Sequence, residues 1–161
     1  MILIFKIILL IILGIIVYED VTSRMVHWIL FPLATFFLGY SFFEQSNPVF
    51  FLTTVGMNIL LVSGITLILF LYAKLIIKQP FLNTSFGSGD LLFFYALSVA
   101  FPTVTFIVLF VFALIFSLCL HQVRKRKDVE RSVPLAGYMA LFFVVIFGIH
   151  MISNQPNLYQ F

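Results

Sequence analysis

Residues 91–120, LLFFYALSVAFPTVTFIVLFVFALIFSLCL, determine how many helices this chain contains. As a single helix the stretch would measure about 45 Å, whereas the hydrocarbon core of a bilayer is about 30 Å thick. Phe101-Pro102-Thr103 interrupts it one third of the way along, and a proline inside a helix removes a backbone hydrogen bond. The sequence therefore predicts two spans, 91–101 and 103–120. The first is short and needs neighbouring residues or a thinner membrane to cross.

The whole chain has the composition of a membrane protein. Of its 161 residues, 63% are apolar and 9% are charged, whereas soluble domains have roughly 45–50% apolar residues. A surface with so few charges would not keep a compact particle dispersed in water. The composition therefore excludes a soluble globular domain. It predicts one membrane-embedded domain over residues 1–161, with short loops.

Four further apolar stretches complete the predicted fold: 1–18, 28–43, 49–73 and 134–152. In lipid every backbone polar group needs an internal partner, and the alternating pattern of barrel strands is absent, so all six stretches are predicted to be helices. No cleavage site precedes Glu19, so the first stretch is predicted to be a retained span rather than a signal peptide. The predicted fold class is all-α: a polytopic integral membrane protein with about six transmembrane helices.

The basic residues favour six spans over five. With six, eight of the nine Lys and Arg residues face one side, which the positive-inside rule identifies as the cytoplasm. The same rule explains the net charge of +3 without a nucleic acid as partner. The eight residues are Arg24, Lys74, Lys78, Arg124, Lys125, Arg126, Lys127 and Arg131.

Acidic residues beside the spans are the candidates for chemistry, because an ionisable group there costs several kcal/mol unless it is paired or reaches water. Asp20 ends the first span and Asp90 opens the fourth, so both are predicted at the cytoplasmic rim. Two carboxyl groups brought together there share one proton, and such a pair can act as general acid and general base. An amide bond can then be hydrolysed without a metal or a covalent intermediate.

Two glycines and a third acid are predicted to bind substrate around this pair. Gly87 and Gly89 precede Asp90, and their missing side chains allow positive φ angles and the close approach of an extended substrate strand. Glu19, beside Asp20, is the third candidate. The chain has one cysteine and no cluster of histidines with it, so we expect neither a metal nor a cofactor.

Each acid also has a structural interpretation. Asp90 alone could cap the fourth helix, where the macrodipole favours an acidic side chain. Asp20 alone could pair with Arg24 four residues on, and Glu19 is typical of a solvated boundary residue.

Taken together, these residues resemble the prepilin peptidase family of GxGD-type membrane aspartyl proteases, which includes type IV leader peptidases and preflagellin peptidases. The family has one aspartate just after the first span, commonly followed by a basic residue, as Asp20 is followed by Arg24. Its second aspartate ends a Gly-x-Gly-Asp motif, matched by residues 87–90; the family often has Lys two residues later, where this chain has Leu92. Residues 132–137 look like the segment that leads into the family's last span.

The resemblance implies a function and a location. The chain would be an aspartyl endopeptidase that cleaves the leader peptide of prepilin-like proteins at the cytoplasmic face of the bacterial inner membrane, with Asp20 and Asp90 as catalytic residues. It looks like the minimal form, because the cysteine-containing insertion of members with N-methyltransferase activity is absent. Two other functions stay open: a catalytically silent membrane scaffold of the same fold, and a small transporter that uses the acids for proton coupling.

Overall fold

The structure, a computed structural model, describes residues 2–77, 87–124, 134–153 and 158–159. These residues form helices and no strand. A π-helical turn, Ala73–Ile77, extends the third helix. The predicted cytoplasmic residues Lys78, Lys125, Arg126, Lys127 and Arg131 lie outside the described residues, as do residues 85, 86, 132 and 133. The helices are α1 Ile2–Thr22, α2 Leu30–Phe43, α3 Pro48–Tyr72, α4 Ser88–Ser98, α5 Thr103–Arg124 and α6 Leu135–Ser153.

The predicted break inside residues 91–120 is confirmed. α4 ends at Ser98 rather than at residue 101, and α5 begins at Thr103, directly after Pro102. The Pro102 carbonyl accepts the first hydrogen bond of α5 from the Phe106 amide at 2.8 Å. The fourth helix is therefore shorter than predicted: it ends at Ser98, with Val99 as its C-cap, three residues before Phe101 and its bond to Pro102.

Other predicted boundaries are also shifted, and α5 continues to Arg124 instead of ending at residue 120. α1 continues to Thr22 instead of ending at residue 18, so Glu19 and Asp20 lie in its last turns. α2 begins at Leu30 rather than 28, after a turn in which the Leu30 amide bonds to the His27 carbonyl at 3.0 Å. α3 begins at Pro48 as its sequence favours, because the Asn47 side chain accepts a bond from the Val49 amide at 3.1 Å.

Most polar side chains of α3 lie inside and many of its large apolar side chains lie outside, an arrangement typical of a helix in lipid. Leu52, Leu60 and Ile68 are 74%, 73% and 68% exposed. Together with its π-helical extension α3 is long and apolar enough to cross a membrane, over Pro48–Leu75, and so is Thr103–Val123. The buried residues of α3 are Thr54, Asn58, Val62 and Thr66.

Helix packing brings three helix ends together. α1 contacts α2 and α6, and α4 contacts α2, α3 and α6. At the far end of the bundle Tyr159 stacks against Phe42 and Phe101, with ring centroids 6.1 and 6.0 Å apart. At the other end, the C-terminus of α1 and the N-termini of α4 and α6 lie side by side, and the polar atoms concentrate there.

Candidate active site

Asp20 is held at the start of α6 by a backbone hydrogen bond. Its side chain is 8% exposed, and its Oδ2 accepts a bond of 2.6 Å from the Gly137 amide. Burial is the main cause that raises the pKa of the Asp20 carboxyl, while the Gly137 amide and the positive charge of Arg24 lower it. Asp20 lies beyond the apolar residues 2–18, at the end of α1.

Asp90 accepts a hydrogen bond from the Ala136 amide, which lies next to the Gly137 amide at the N-terminus of α6. Its Oδ1 accepts a bond of 2.7 Å from the Ala136 amide, and its carboxylate also accepts from the Gly87 amide. Asp90 is the third residue of α4 and Gly87 is the N-cap, so the carboxylate reaches back over its own helix end as in a capping box. The capping role weighed for Asp90 is therefore present, and a second bond to α6 is added to it.

The N-terminus of α6 explains why two distant acids meet here. Its first intrahelical bond runs from the Tyr138 amide to the Pro134 carbonyl at 3.2 Å. Pro134 has no side-chain acceptor, so the amides of residues 135–137, which precede this first intrahelical bond, need partners from elsewhere. Asp90 and Asp20 supply them at residues 136 and 137. The positive end of the helix dipole further favours carboxylates at this position.

The Asp20 and Asp90 carboxyl groups lie close enough for the charge of Asp20 to affect the pKa of Asp90. Because they bind amides separated by one peptide unit, their bound oxygens cannot be more than roughly 9 Å apart. Burial raises the pKa of Asp90 to about 7, helped by the negative charge of Asp20 and opposed by the Ala136 and Gly87 amides. Burial and mutual repulsion therefore favour a proton on the pair, while the amides favour charge. With a pKa of about 7, Asp90 carries its proton at acidic pH and titrates near neutral pH.

Two glycines make room for the carboxyl groups. A Cβ atom on Gly137 would lie 2.9 Å from the Asp20 Cβ and 3.0 Å from its Oδ2. A Cβ atom on Gly87 would lie 2.7 Å from the Asp90 Oδ2. The expectation of positive φ at Gly87 and Gly89 is wrong: no described glycine has a positive φ, and Gly87 has φ −69°. The missing side chains serve close packing instead.

Gly89 faces away from the acids. A Cβ atom at this position would meet the Phe31 ring of α2 at 3.4 Å, so Gly89 lets α4 approach α2. The role of Gly87 and Gly89 in substrate binding stays a prediction. Their positions are compatible with it, because both residues are only partly buried beside Asp90.

Glu19 is engaged in the loop between α1 and α2. Its carboxylate accepts the His27 amide at 2.9 Å and lies 2.7 Å from the His27 Nδ1. The backbone bond from His27 is the main cause that lowers the pKa of Glu19. Glu19 thus fixes the loop that follows the catalytic candidate Asp20, and its predicted contact with substrate stays a prediction.

Sequence reasoning missed the amides of Ala136 and Gly137. Residues 132–137 were singled out only as a segment leading into the last helix, and backbone donors leave no side-chain signature. A glycine two residues after the start of an apolar helix is the one available signal, since glycine there costs helix stability unless something packs against it.

No protein-family model, curated protein or solved structure matches the chain. The geometry of the site therefore carries the functional argument.

Proposed function

We propose that this chain is an integral membrane aspartyl endopeptidase with Asp20 and Asp90 as its catalytic dyad. The observation that carries the proposal is the convergence of both carboxyl groups on two successive amides of the α6 N-terminus. Both groups have raised pKa values, and that of Asp90 is close to neutral. Perturbed acids at a shared site are typical of general acid and base catalysis.

The electrostatics favour Asp90 as the protonated member of the pair. The negative charge of Asp20 raises the pKa of Asp90, whereas Arg24 supports the charged form of Asp20. In the reaction, Asp20 takes a proton from water while the water oxygen attacks the peptide carbonyl carbon, and Asp90 gives its proton to the carbonyl oxygen. When the C–N bond breaks, Asp20 returns its proton to the leaving amine, and Asp90 regains its own from the collapsing intermediate.

A lipid environment accounts for the surface of the protein. α3 exposes large apolar side chains and buries Thr54, Asn58 and Thr66, which reverses the arrangement of a water-soluble protein. We propose that all six helices cross the membrane and that the end carrying the dyad faces the cytoplasm of a bacterial cell. Arg24 follows α1, Lys74 follows α3 and Arg124 is the last residue of α5, and these three helices end on that side in this topology.

The substrate class comes from the resemblance to prepilin peptidases. The first acid ends the first helix, and the second ends a Gly-x-Gly-Asp motif that opens a short fourth helix, as in that family. The proposed substrates are prepilin-like proteins, cleaved between a short basic leader and a hydrophobic helix. A dyad at the membrane boundary fits a scissile bond that lies at the end of an apolar helix.

Two isosteric substitutions test the dyad. Asp20→Asn and Asp90→Asn keep an oxygen that accepts the α6 amides but lose the ionisation. Each should abolish cleavage of a co-expressed prepilin-like protein while membrane insertion is retained. Glu44→Gln is the matched control, because Glu44 is an exposed acid at the C-cap of α2, far from the site. Full cleavage by both single variants would refute the proposal.

A scaffold function is the second candidate, and one observation favours it. Both carboxylates cap α6, a role that needs an acceptor oxygen and no catalysis. The double variant Asp20→Asn, Asp90→Asn separates the two functions. A cellular function that survives in this variant would support the scaffold and contradict the peptidase.

A further inference from the structure

Asn58 joins α3 to the break between α4 and α5. It lies in the middle of α3 and its side chain is fully buried. Its amide nitrogen donates to the Ser98 carbonyl at 3.0 Å and to the Phe101 carbonyl at 2.9 Å. Ser98 is the last residue of α4, and Phe101 lies in the linker before Pro102 and α5, so neither carbonyl lies within a continuing helix. Asn58 thus donates to the last residue of α4 and to the linker that follows it.

A second polar contact ties the same two helices together. The Ser63 hydroxyl lies 3.0 Å from the Tyr95 hydroxyl, between the middle of α3 and the middle of α4. Hydrogen bonds between packed helices are directional, so the bonds of Asn58 and Ser63 favour one axial register of α4 against α3.

The register of α4 determines the place of Asp90. α4 has 11 residues, so it is a rod of about 16 Å with Asp90 in its first turn and Ser98 in its last. A slide of one end along the axis moves the other end by the same distance. Asp90 accepts the Ala136 amide at 2.7 Å, so a slide of about 1 Å away from that amide would stretch the bond beyond hydrogen-bond range.

We propose that Asn58 is a positioning residue for the dyad: it fixes the axial register of α4 and thereby holds Asp90 at the N-terminus of α6. Its consequence for catalysis rests on the proposed function, whereas its consequence for geometry does not. The Asn58 Oδ1 is buried and has no hydrogen-bond partner within the described part of the chain. The Asn58 side chain therefore leaves its own acceptor oxygen unpaired, and what it contributes to the structure is the two hydrogen bonds that it donates.

Cross-linking measures the register without any activity. Cysteines replace Asp20 and Asp90 in a Cys119→Ser background, and the rate of reaction with a short bifunctional thiol reagent is followed in membranes. Asn58→Leu, of similar volume, should slow the cross-link severalfold. Thr66→Val is the matched control, because Thr66 is buried on the same helix and its hydroxyl donates only to the Ser63 carbonyl of its own helix. Equal rates in the two variants would overturn the proposal.

Kinetics separates positioning from general stability. With a prepilin-like protein as the probe, Asn58→Leu should lower kcat by up to roughly 100-fold, the effect of a misplacement near 1 Å, and leave KM unchanged. A merely structural residue would lower Tm and leave the kcat of the folded fraction unchanged. If Asn58→Leu does not fold, Tyr95→Phe removes the other bond between the two helices and should also slow the cross-link; an unchanged rate there would contradict the proposal.

The two assays distinguish the possible failures. If the wild-type chain cleaves nothing but the cross-link responds to Asn58, the peptidase function is wrong and the positioning role stands. If the wild-type chain cleaves its substrate and Asn58→Leu changes neither kcat nor the cross-link, the positioning role is wrong and the peptidase function stands.

Discussion

Gly137→Ala should disrupt the site by pushing α1 and α6 apart. The added Cβ would lie 2.9 Å from the Asp20 Cβ, 3.0 Å from its Oδ2 and 3.3 Å from its Cγ. Carbon atoms in contact are normally about 3.5–4.0 Å apart, so the two helices must separate or the Asp20 side chain must move. The Asp20 Cβ is fixed to the α1 backbone, so rotating the side chain does not remove the clash.

The cost has two parts. Overpacking of a close helix contact costs about 1–3 kcal/mol of unfolding free energy. The 2.6 Å bond between the Gly137 amide and Asp20 is then strained or lost, and a hydrogen bond to a charged group contributes about 1.5–3 kcal/mol. A displacement of Asp20 by about 1 Å should reduce cleavage by up to roughly 100-fold.

Gly148→Ala is the control on the same helix. No atom lies within 4 Å of a Cβ at that position, so the change should be neutral or stabilise α6 by about 0.5–1 kcal/mol, as glycine to alanine does inside helices. Unfolding of both variants in detergent and cleavage of a prepilin-like protein are the measurements. If Gly137→Ala equals Gly148→Ala in both, the close packing of Asp20 on α6 is wrong.

Three further predictions follow from the acids and from Gly87. Burial raises the pKa of Asp90 from 3.8 to about 7, so the folded chain keeps a proton that the unfolded chain releases. The unfolding free energy should therefore fall as pH rises from 3.8 through about 7, and denaturation of Asp90→Asn should show a flatter profile. Cleavage should be bell-shaped in pH, since Asp20 and Asp90 are inactive when both are protonated or both ionised; a monotonic profile would count against the dyad. Gly87→Ala should displace the Asp90 carboxylate, 2.7 Å from the new Cβ, and reduce cleavage, whereas Gly56→Ala, with open space around it, should not.

The helices and their order were predictable from the long apolar stretches and from Pro102, which interrupts the longest of them. The helix ends predicted from the sequence differ by a few residues from the observed ones, because side-chain contacts determine where a helix ends. α1 continues through Glu19 and Asp20, since acidic residues at its end reach polar partners instead of ending the helix.

The candidate site was predictable only in its acids. Asp20 and Asp90 stand out in a chain with 9% charged residues, because a charged group beside a long apolar stretch is costly unless it is paired or reaches water. Their shared partner does not stand out, since an amide of Ala136 or Gly137 looks like any other in a sequence. The role of Asn58 could not be predicted either, because its side chain binds backbone carbonyls that lie 40 and 43 residues further along the chain.

The amino-acid sequence by itself determines that this chain is apolar and helical, that its fourth and fifth helices are separate, and that Asp20 and Asp90 lie at helix ends. Those properties depend on composition and on local backbone chemistry. Tertiary structure alone decides that α6, which starts after a proline without a side-chain acceptor, takes its capping groups from α1 and α4. Which distant groups satisfy a free helix end depends on packing in three dimensions, and no local pattern specifies it.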